Sequence, residues 1–144
     1  MPPVVGYIDF IEIRRDDDGI ERLHLVDYKT AGKTPASAED IGTDQLILYA
    51  IAARQTGLAD ALGLPIALRF DVITKTKNPT FVSLSVSIDT RAEERLTAKI
   101  RELWRGMQAR ICYPNPSWSC KGCGYAHHCE EWPNGTFSPL AEEE

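Results

Sequence analysis

Val4-Val5-Gly6-Tyr7-Ile8-Asp9-Phe10-Ile11-Glu12-Ile13, followed by Arg22-Leu23-His24-Leu25-Val26-Asp27-Tyr28-Lys29-Thr30, decides how this chain folds. Both runs are rich in β-branched and aliphatic residues, the composition of strands. Between them lies Arg14-Arg15-Asp16-Asp17-Asp18-Gly19, whose Asp-Gly step is a turn signal. Alternation puts Tyr7, Asp9, Ile11 and Ile13 on one face of the first strand, and Leu23, Leu25, Asp27 and Lys29 on one face of the second. A hairpin folding near Asp18 sets Asp9 opposite Asp27, with Cβ atoms roughly 5 Å apart. Two carboxylates that close, each within an apolar stripe, repel one another and lose solvation. A divalent cation held by oxygen ligands relieves both penalties. The carbonyl of Tyr28 could supply a further oxygen ligand, and Lys29 projects from the same face as Asp27.

Outward from the hairpin, Ala31-Gly32-Lys33-Thr34-Pro35 reads as a loop, with Ser37 or Asp40 as the cap of the next element. A helical pattern runs from Ile41 to Gly57 and is apolar nearly all round, as expected of a helix buried between layers. Gln45 and Tyr49, four residues apart, share one face of it and carry its polar ends. Leu58 to Leu62 adds a short turn before Gly63-Leu64-Pro65. Ile66–Lys75 and Phe81–Ile88 read as a third and a fourth strand, joined by the turn Thr76–Thr80. Asp89 or Thr90 caps a last long helix reaching about Arg110, with Leu96, Ile100, Leu103, Trp104 and Met107 as its apolar face. Its basic residues, from Arg91 to Arg110, read as a solvated face balanced by Glu93, Glu94 and Glu102, with a phosphate-facing ridge as the alternative.

The chain has 144 residues, 43% hydrophobic and 26% charged, which fits one globular domain with a real core. No apolar run approaches the roughly 20 residues of a membrane helix, and Met1-Pro2-Pro3 leads straight into a strand without a signal peptide. The expectation is a cytoplasmic protein with no membrane partner. A net charge of −5 does not advertise nucleic-acid binding by bulk charge. It is compatible with an enzyme that uses a cation and a local basic patch.

All four cysteines fall in the last third. Cys120-x-x-Cys123 with Cys129 six residues on is a local metal-binding pattern rather than a disulfide framework. Cys112 is the fourth thiol. Four thiolates suit a [4Fe–4S] cluster or a zinc ion, and His127 or His128 in place of one thiolate would favour zinc. His24 points to the strand face opposite Asp27 and reads as structural or exposed.

Gly6-Tyr7-Ile8-Asp9, Val26-Asp27-Tyr28-Lys29-Thr30 and Gln45-Leu46-Ile47-Leu48-Tyr49 resemble, in order, the motifs of the PD-(D/E)XK nucleases, specifically the RecB/Cas4-like branch. The Cys120, Cys123, Cys129 ending is similar to the C-terminal cysteines of its iron–sulfur members. The resemblance covers about residues 4 to 130. It implies an α/β, restriction-endonuclease-like mixed sheet flanked by helices: a nuclease core over 1–111 and a cysteine-rich metal-cluster segment and acidic tail over 112–144, packed on the same domain. It implies Mg²⁺- or Mn²⁺-dependent cleavage of DNA, exonucleolytic on single strands or ends. Asp9 and Asp27 would be metal ligands together with the Tyr28 carbonyl, and Lys29 catalytic. Gln45 and Tyr49 would be active-site helix residues, and Cys112, Cys120, Cys123 and Cys129 would hold [4Fe–4S]. Family members usually carry an N-terminal helix before the first catalytic strand, so a larger DNA-processing protein or complex that supplies it is an expected partner. A reading of a different class is a non-catalytic DNA-binding or interaction module that keeps the nuclease fold.

Overall fold

The computed structural model describes residues 3–111 and 113–131. The expected fold class holds: a four-stranded mixed sheet with helices against it. The chain divides into two compact units, one up to Arg101 and the other from Glu102. The first contains the sheet, built from β1 (Phe10–Arg15), β2 (Glu21–Ala31), β3 (Ile66–Thr74) and β4 (Phe81–Val86) in that spatial order. β1 and β2 form an antiparallel hairpin, β2 and β3 run parallel, and β3 and β4 are antiparallel. The parallel pair needs a crossover, supplied by α1 (Asp44–Gln55) and the one-turn α2 (Leu58–Leu62). Left-handed glycines punctuate it: Gly57, φ 74°, ends α1 and Gly63, φ 63°, ends α2.

The hairpin register is the one the turn chemistry implies. Phe10 pairs with Val26 and Ile13 with Leu23, so paired numbers sum to 36. Gly19, φ 78°, and the bond from the Ile20 N–H to the Asp18 carboxylate (3.0 Å) close the turn. Arg22 clamps Asp18 with two guanidinium nitrogens and holds its carboxyl down to about 2, mainly through that side-chain bond.

The first strand is shorter than the pattern predicts. Residues 4–9 lie outside the ladder because its bonding groups are diverted. The Asp9 carboxylate takes the Tyr28 N–H (2.9 Å), and the Tyr7 carbonyl takes the Tyr49 hydroxyl of α1. The segment therefore leaves the sheet and runs along α1. A second correction concerns burial. Ile11 and Ile13 are 42% and 54% exposed, because α1 lies over β2 and β3 rather than over this edge strand. Asp9 is exposed as well, so the desolvation expected of both aspartates falls on Asp27 alone.

The core lies between the sheet and α1. Leu23 and Leu25 of β2, Leu68, Phe70 and Val72 of β3, and Leu46 and Ala50 of α1 are buried in it. Each fully buried leucine or phenylalanine contributes about 1.5–3 kcal/mol. The apolar back of α1 is only partly buried. It lines a cavity of about 310 Å³ with Val4, Ile8, Thr97 and Ile100, which explains why the helix is apolar nearly all round.

Two cap expectations divide. The Asp89 carboxylate takes the Ala92 N–H and caps α3 (Thr90–Gln108), as read from sequence. Asp40 does not cap α1, whose N-cap is Thr43 without a side-chain bond. Its carboxylate instead ties down the preceding loop by accepting from the Ala36 N–H (2.9 Å) and the Ser37 N–H (3.3 Å). On α3, Leu96 is buried, but Leu103 and Met107 are 60% and 67% exposed. Its charges are partly spent in ion pairs: Arg54–Glu93, Lys99–Asp44 and Arg105–Glu102.

The second unit holds the end of α3, a 3-10 turn (Trp118–Cys120) and the short α4 (Ala126–Glu131). Among the described residues no helix is long and apolar enough to cross a membrane.

Candidate active site

Asp27 lies on the core-facing side of β2, in the middle of the sheet, and is 1% exposed. Its neighbour Leu25 and its β3 partner Phe70 are apolar and buried, so its charge has little solvent to lean on. Two residues on, Lys29 emerges on the same face and brings Nζ to 2.5 Å from Asp27 Oδ2. That contact is an ion pair without hydrogen-bond alignment, and Oδ2 accepts no hydrogen bond among the described residues. Lys29 also donates to Gln45 Oε1 (2.9 Å) and lies 5.8 Å from the centre of the Phe70 ring, within cation–π range.

From Lys29 the bonding continues through α1. Gln45 Nε2 donates to the Tyr49 hydroxyl (2.7 Å), and that hydroxyl donates to the Tyr7 carbonyl. Gln45 reaches the cluster because its position in the first turn of α1 faces the C-terminal end of β2. It is exposed, against the expectation of two buried polar ends; Tyr49 is buried. The Tyr49 ring packs beside Gly6, where an added Cβ would lie 3.7 Å from it. Thus Asp27, Lys29, Gln45, Tyr49 and the backbone at Tyr7 form one connected network, with Asp9 one residue before the Phe10–Val26 pair that ends the hairpin ladder.

Asp9 and Tyr28 meet at one bond, from the Tyr28 N–H to Asp9. The Tyr28 side chain points away from the cluster, to the other sheet face, and its ring stacks on Phe10 at 6.2 Å between centres. Only its backbone is available to the site. Among the described residues no three or more His, Cys, Asp or Glu side chains come together in a metal-binding group. The donor set at hand is two carboxylates and the Tyr28 carbonyl. That set fits Mg²⁺ or Mn²⁺, because small hard cations retain several waters and need only one or two carboxylates. The buried Asp27 Oδ2, touched by Lys29 but without a hydrogen bond, is the atom that such a cation would satisfy.

Cys120, Cys123 and Cys129 are exposed free thiols. Cys120 and Cys123 belong to one turn, closed by the Cys123 N–H on the Cys120 carbonyl (3.1 Å), and Cys120 Sγ accepts from the Ser117 N–H (3.2 Å). The structure does not bring Cys129 together with them in a ligand group. Cys112 lies outside the described residues.

Sequence reading missed a second polar assembly on the opposite sheet face. Arg69 is buried and bonds to Asp71 (3.0 Å), Glu12 (2.7 Å) and His24 Nδ1 (3.3 Å), while Ser83 donates to Asp71 (2.8 Å). The signal was the alternation Leu68-Arg69-Phe70-Asp71-Val72, which says that β3 is apolar on one face and charged on the other. Which acid Arg69 reaches depends on strand order. Since arginine only donates, His24 Nδ1 is the acceptor and the ring proton sits on Nε2, which lies 3.0 Å from Asp16 Oδ1 without hydrogen-bond alignment.

Burial is the main force on His24 and lowers its pKa; Asp16 and Glu12 pull upward, and Arg14 and Arg69 add to the lowering. The unfolded chain therefore takes up this proton more readily than the folded one. The His24 contribution to stability is present above the unfolded value of about 6.5 and is lost as pH falls through it toward the lower folded pKa. Urea midpoints should drop between about pH 7.5 and 5.5, and His24→Gln should flatten part of that drop. An unaltered profile in the variant would assign the drop to other groups.

Comparison with protein-family models matches residues 3–130 to the PD-(D/E)XK nuclease superfamily. Comparisons with curated proteins and with solved structures returned no match. The matched span takes in the whole sheet, both crossover helices and the Asp27–Lys29–Gln45–Tyr49 network, and by that match the chain belongs to the PD-(D/E)XK nuclease superfamily.

Proposed function

We propose that this chain is a Mg²⁺- or Mn²⁺-dependent deoxyribonuclease that hydrolyses phosphodiester bonds, exonucleolytic on single strands or ends. Superfamily membership supports a nucleic-acid substrate and nuclease activity in general. The observation that carries the finer reading is Lys29 Nζ, held between the buried Asp27 carboxylate and Gln45 Oε1 at the mouth of the core.

In this reading Asp9, Asp27 and the Tyr28 carbonyl hold the cation. When bound, it polarises a phosphoryl oxygen and lowers the pKa of a water. The chain's own residues do the rest. Asp27 and Gln45 fix the Lys29 ammonium, and Tyr49, anchored on the Tyr7 carbonyl, fixes Gln45. Lys29 orients the attacking water and meets the negative charge that grows on the phosphoryl oxygens. The water gives up a proton to solvent as its oxygen bonds to phosphorus, the phosphorus–oxygen bond to one sugar breaks, and the departing sugar oxygen takes a proton from solvent. Burial of Asp27 and the Phe70 ring beneath Lys29 keep the local dielectric low, where a fixed ammonium counts for more.

Cleavage of single- and double-stranded DNA with Mn²⁺, beside a chelator control, tests the activity. Calorimetric titration with Mn²⁺ tests the ligands without relying on turnover. The second reading, a non-catalytic DNA-binding module, rests on the Lys29–Asp27 contact, which already neutralises the buried carboxylate. Oligonucleotide binding with no cleavage under any divalent cation would favour it.

We further infer that Cys120, Cys123 and Cys129 hold a metal centre, [4Fe–4S] as in the iron–sulfur members of the RecB/Cas4-like branch, with zinc as the alternative and Cys112 as the fourth ligand. The Cys-x-x-Cys turn and the N–H directed at Cys120 Sγ support it, since backbone N–H groups on sulfur are a usual second shell for thiolate-bound metals. Protein purified without oxygen should be brown with iron, colourless with zinc, and Cys123→Ser should lose the metal and become protease-sensitive beyond α3. Metal-free protein with all four thiols titratable and an ordered C-terminal segment would overturn this centre.

A further inference from the structure

Beside the candidate site, at the C-terminal ends of the parallel strands β2 and β3, a cleft of about 740 Å³ opens between the loop following β2 and the sheet. Lys29 lines it, and so do the loop residues 30–36, Lys33 among them, with Ile41 and Val72. In open sheets with parallel strands this end is where ligands seat. The loops around the cleft are braced. The Lys75 N–H bonds to the Ala31 carbonyl (2.7 Å), tying the end of β3 to the loop. Buried Thr74 accepts from the Thr80 N–H (2.9 Å), and Thr80 Oγ1 lies 3.4 Å from Thr34 Oγ1. Asp40, the acidic side chain in the cleft, is occupied by the Ala36 and Ser37 N–H groups.

This bracing brings Lys33 of one loop and Lys75 and Lys77 of the adjoining turn to the same end of the sheet. Elsewhere in the sheet and its hairpin turn, Arg14, Arg15, Arg22 and Arg69 each have a carboxylate partner. Lys33, Lys75 and Lys77 are exposed and have none among the described residues. In a chain of net charge −5, three unpaired cations on the braced loops at this end of the sheet, Lys33 of them in the cleft with Lys29, form a local field that would attract a polyanion.

We propose that this cleft and turn seat the sugar–phosphate backbone of a polynucleotide strand next to the scissile phosphate, with Lys33, Lys75 and Lys77 each meeting a flanking phosphate. The proposal rests on the nuclease reading of the Lys29 network, but its test does not require cleavage. The triple variant Lys33→Ala/Lys75→Ala/Lys77→Ala is compared with Arg91→Ala/Arg95→Ala/Arg101→Ala, which removes the same charge from α3. Binding of a labelled single-stranded oligonucleotide is followed by anisotropy in chelator over a range of salt. Each phosphate contact adds roughly 0.7 to the slope of log affinity against log salt for single strands. The lysine variant should lose about 2 from that slope and bind at least about tenfold more weakly, while the arginine variant keeps wild-type behaviour. If the wild type cuts DNA, the lysine variant should show a raised KM with kcat little changed. Unchanged affinity and slope in the lysine variant, a larger loss in the arginine variant, or no binding by the wild type would each overturn the proposal. Weakened binding in the lysine variant together with an inactive wild type would retain the cleft and reject the catalytic reading.

Discussion

Lys29→Ala is expected to lower kcat by about 10³-fold or more, equivalent to about 4 kcal/mol of transition-state stabilisation, while oligonucleotide affinity changes less than about threefold. The expectation follows from where Nζ is held. Asp27 and Gln45 aim it before substrate arrives, so no reorganisation is needed as charge develops. In the ground state it is one cation beside a polyanion, and its loss should hardly be felt in binding. The split between rate and affinity is therefore the diagnostic readout. Lys29→Arg should not restore activity, because a planar guanidinium does not replace a compact ammonium packed over Phe70. Cleavage within tenfold of wild type in Lys29→Ala would remove the lysine from the chemistry.

Asp27→Asn is expected to abolish the calorimetric Mn²⁺ site and to lower cleavage by at least about 10³-fold, yet leave thermal stability in chelator undiminished. The Asp27 carboxylate is 1% exposed and sits among apolar side chains, so its charge is costly in the folded state and is held chiefly by Lys29. Asparagine keeps the shape and removes that charge. The ammonium left behind is not stranded, since the Lys29 side chain is 33% exposed and still donates to Gln45. Loss of metal without loss of stability would mark Asp27 as a residue kept for function. A fall of several degrees in chelator, or wild-type Mn²⁺ affinity, would count against that assignment.

Much of this was legible in the residue order. Alternation and the Asp-Gly turn specify the hairpin register, because a one-residue slip would turn every apolar side chain to the other face. That register carries Asp9 toward Asp27 and sets Lys29 beside it. The four-residue spacing of Gln45 and Tyr49 puts both on one helical face whatever the helix packs against. These are local properties, and a short stretch of chain carries them. Burial and partnership are not local. Pattern alone made β1 a long strand with two desolvated aspartates. The structure ends it near Asp9, since the Asp9 carboxylate and the Tyr49 hydroxyl take bonding groups that would have extended the ladder. Whether Ile11 and Ile13 are covered depends on α1 choosing β2 and β3, and whether Arg69 finds Glu12 depends on strand order. The convergence of Lys33, Lys75 and Lys77, more than forty residues apart in the chain at the widest, needs the parallel pairing of β2 with β3. The sequence by itself therefore determined the chemistry on offer: two acids, a lysine, a glutamine and a tyrosine at fixed local spacing. Only the tertiary structure decided which acid is buried, which groups hold the lysine, and which cations gather beside it, because solvent exclusion and long-range contacts are set by how the layers meet.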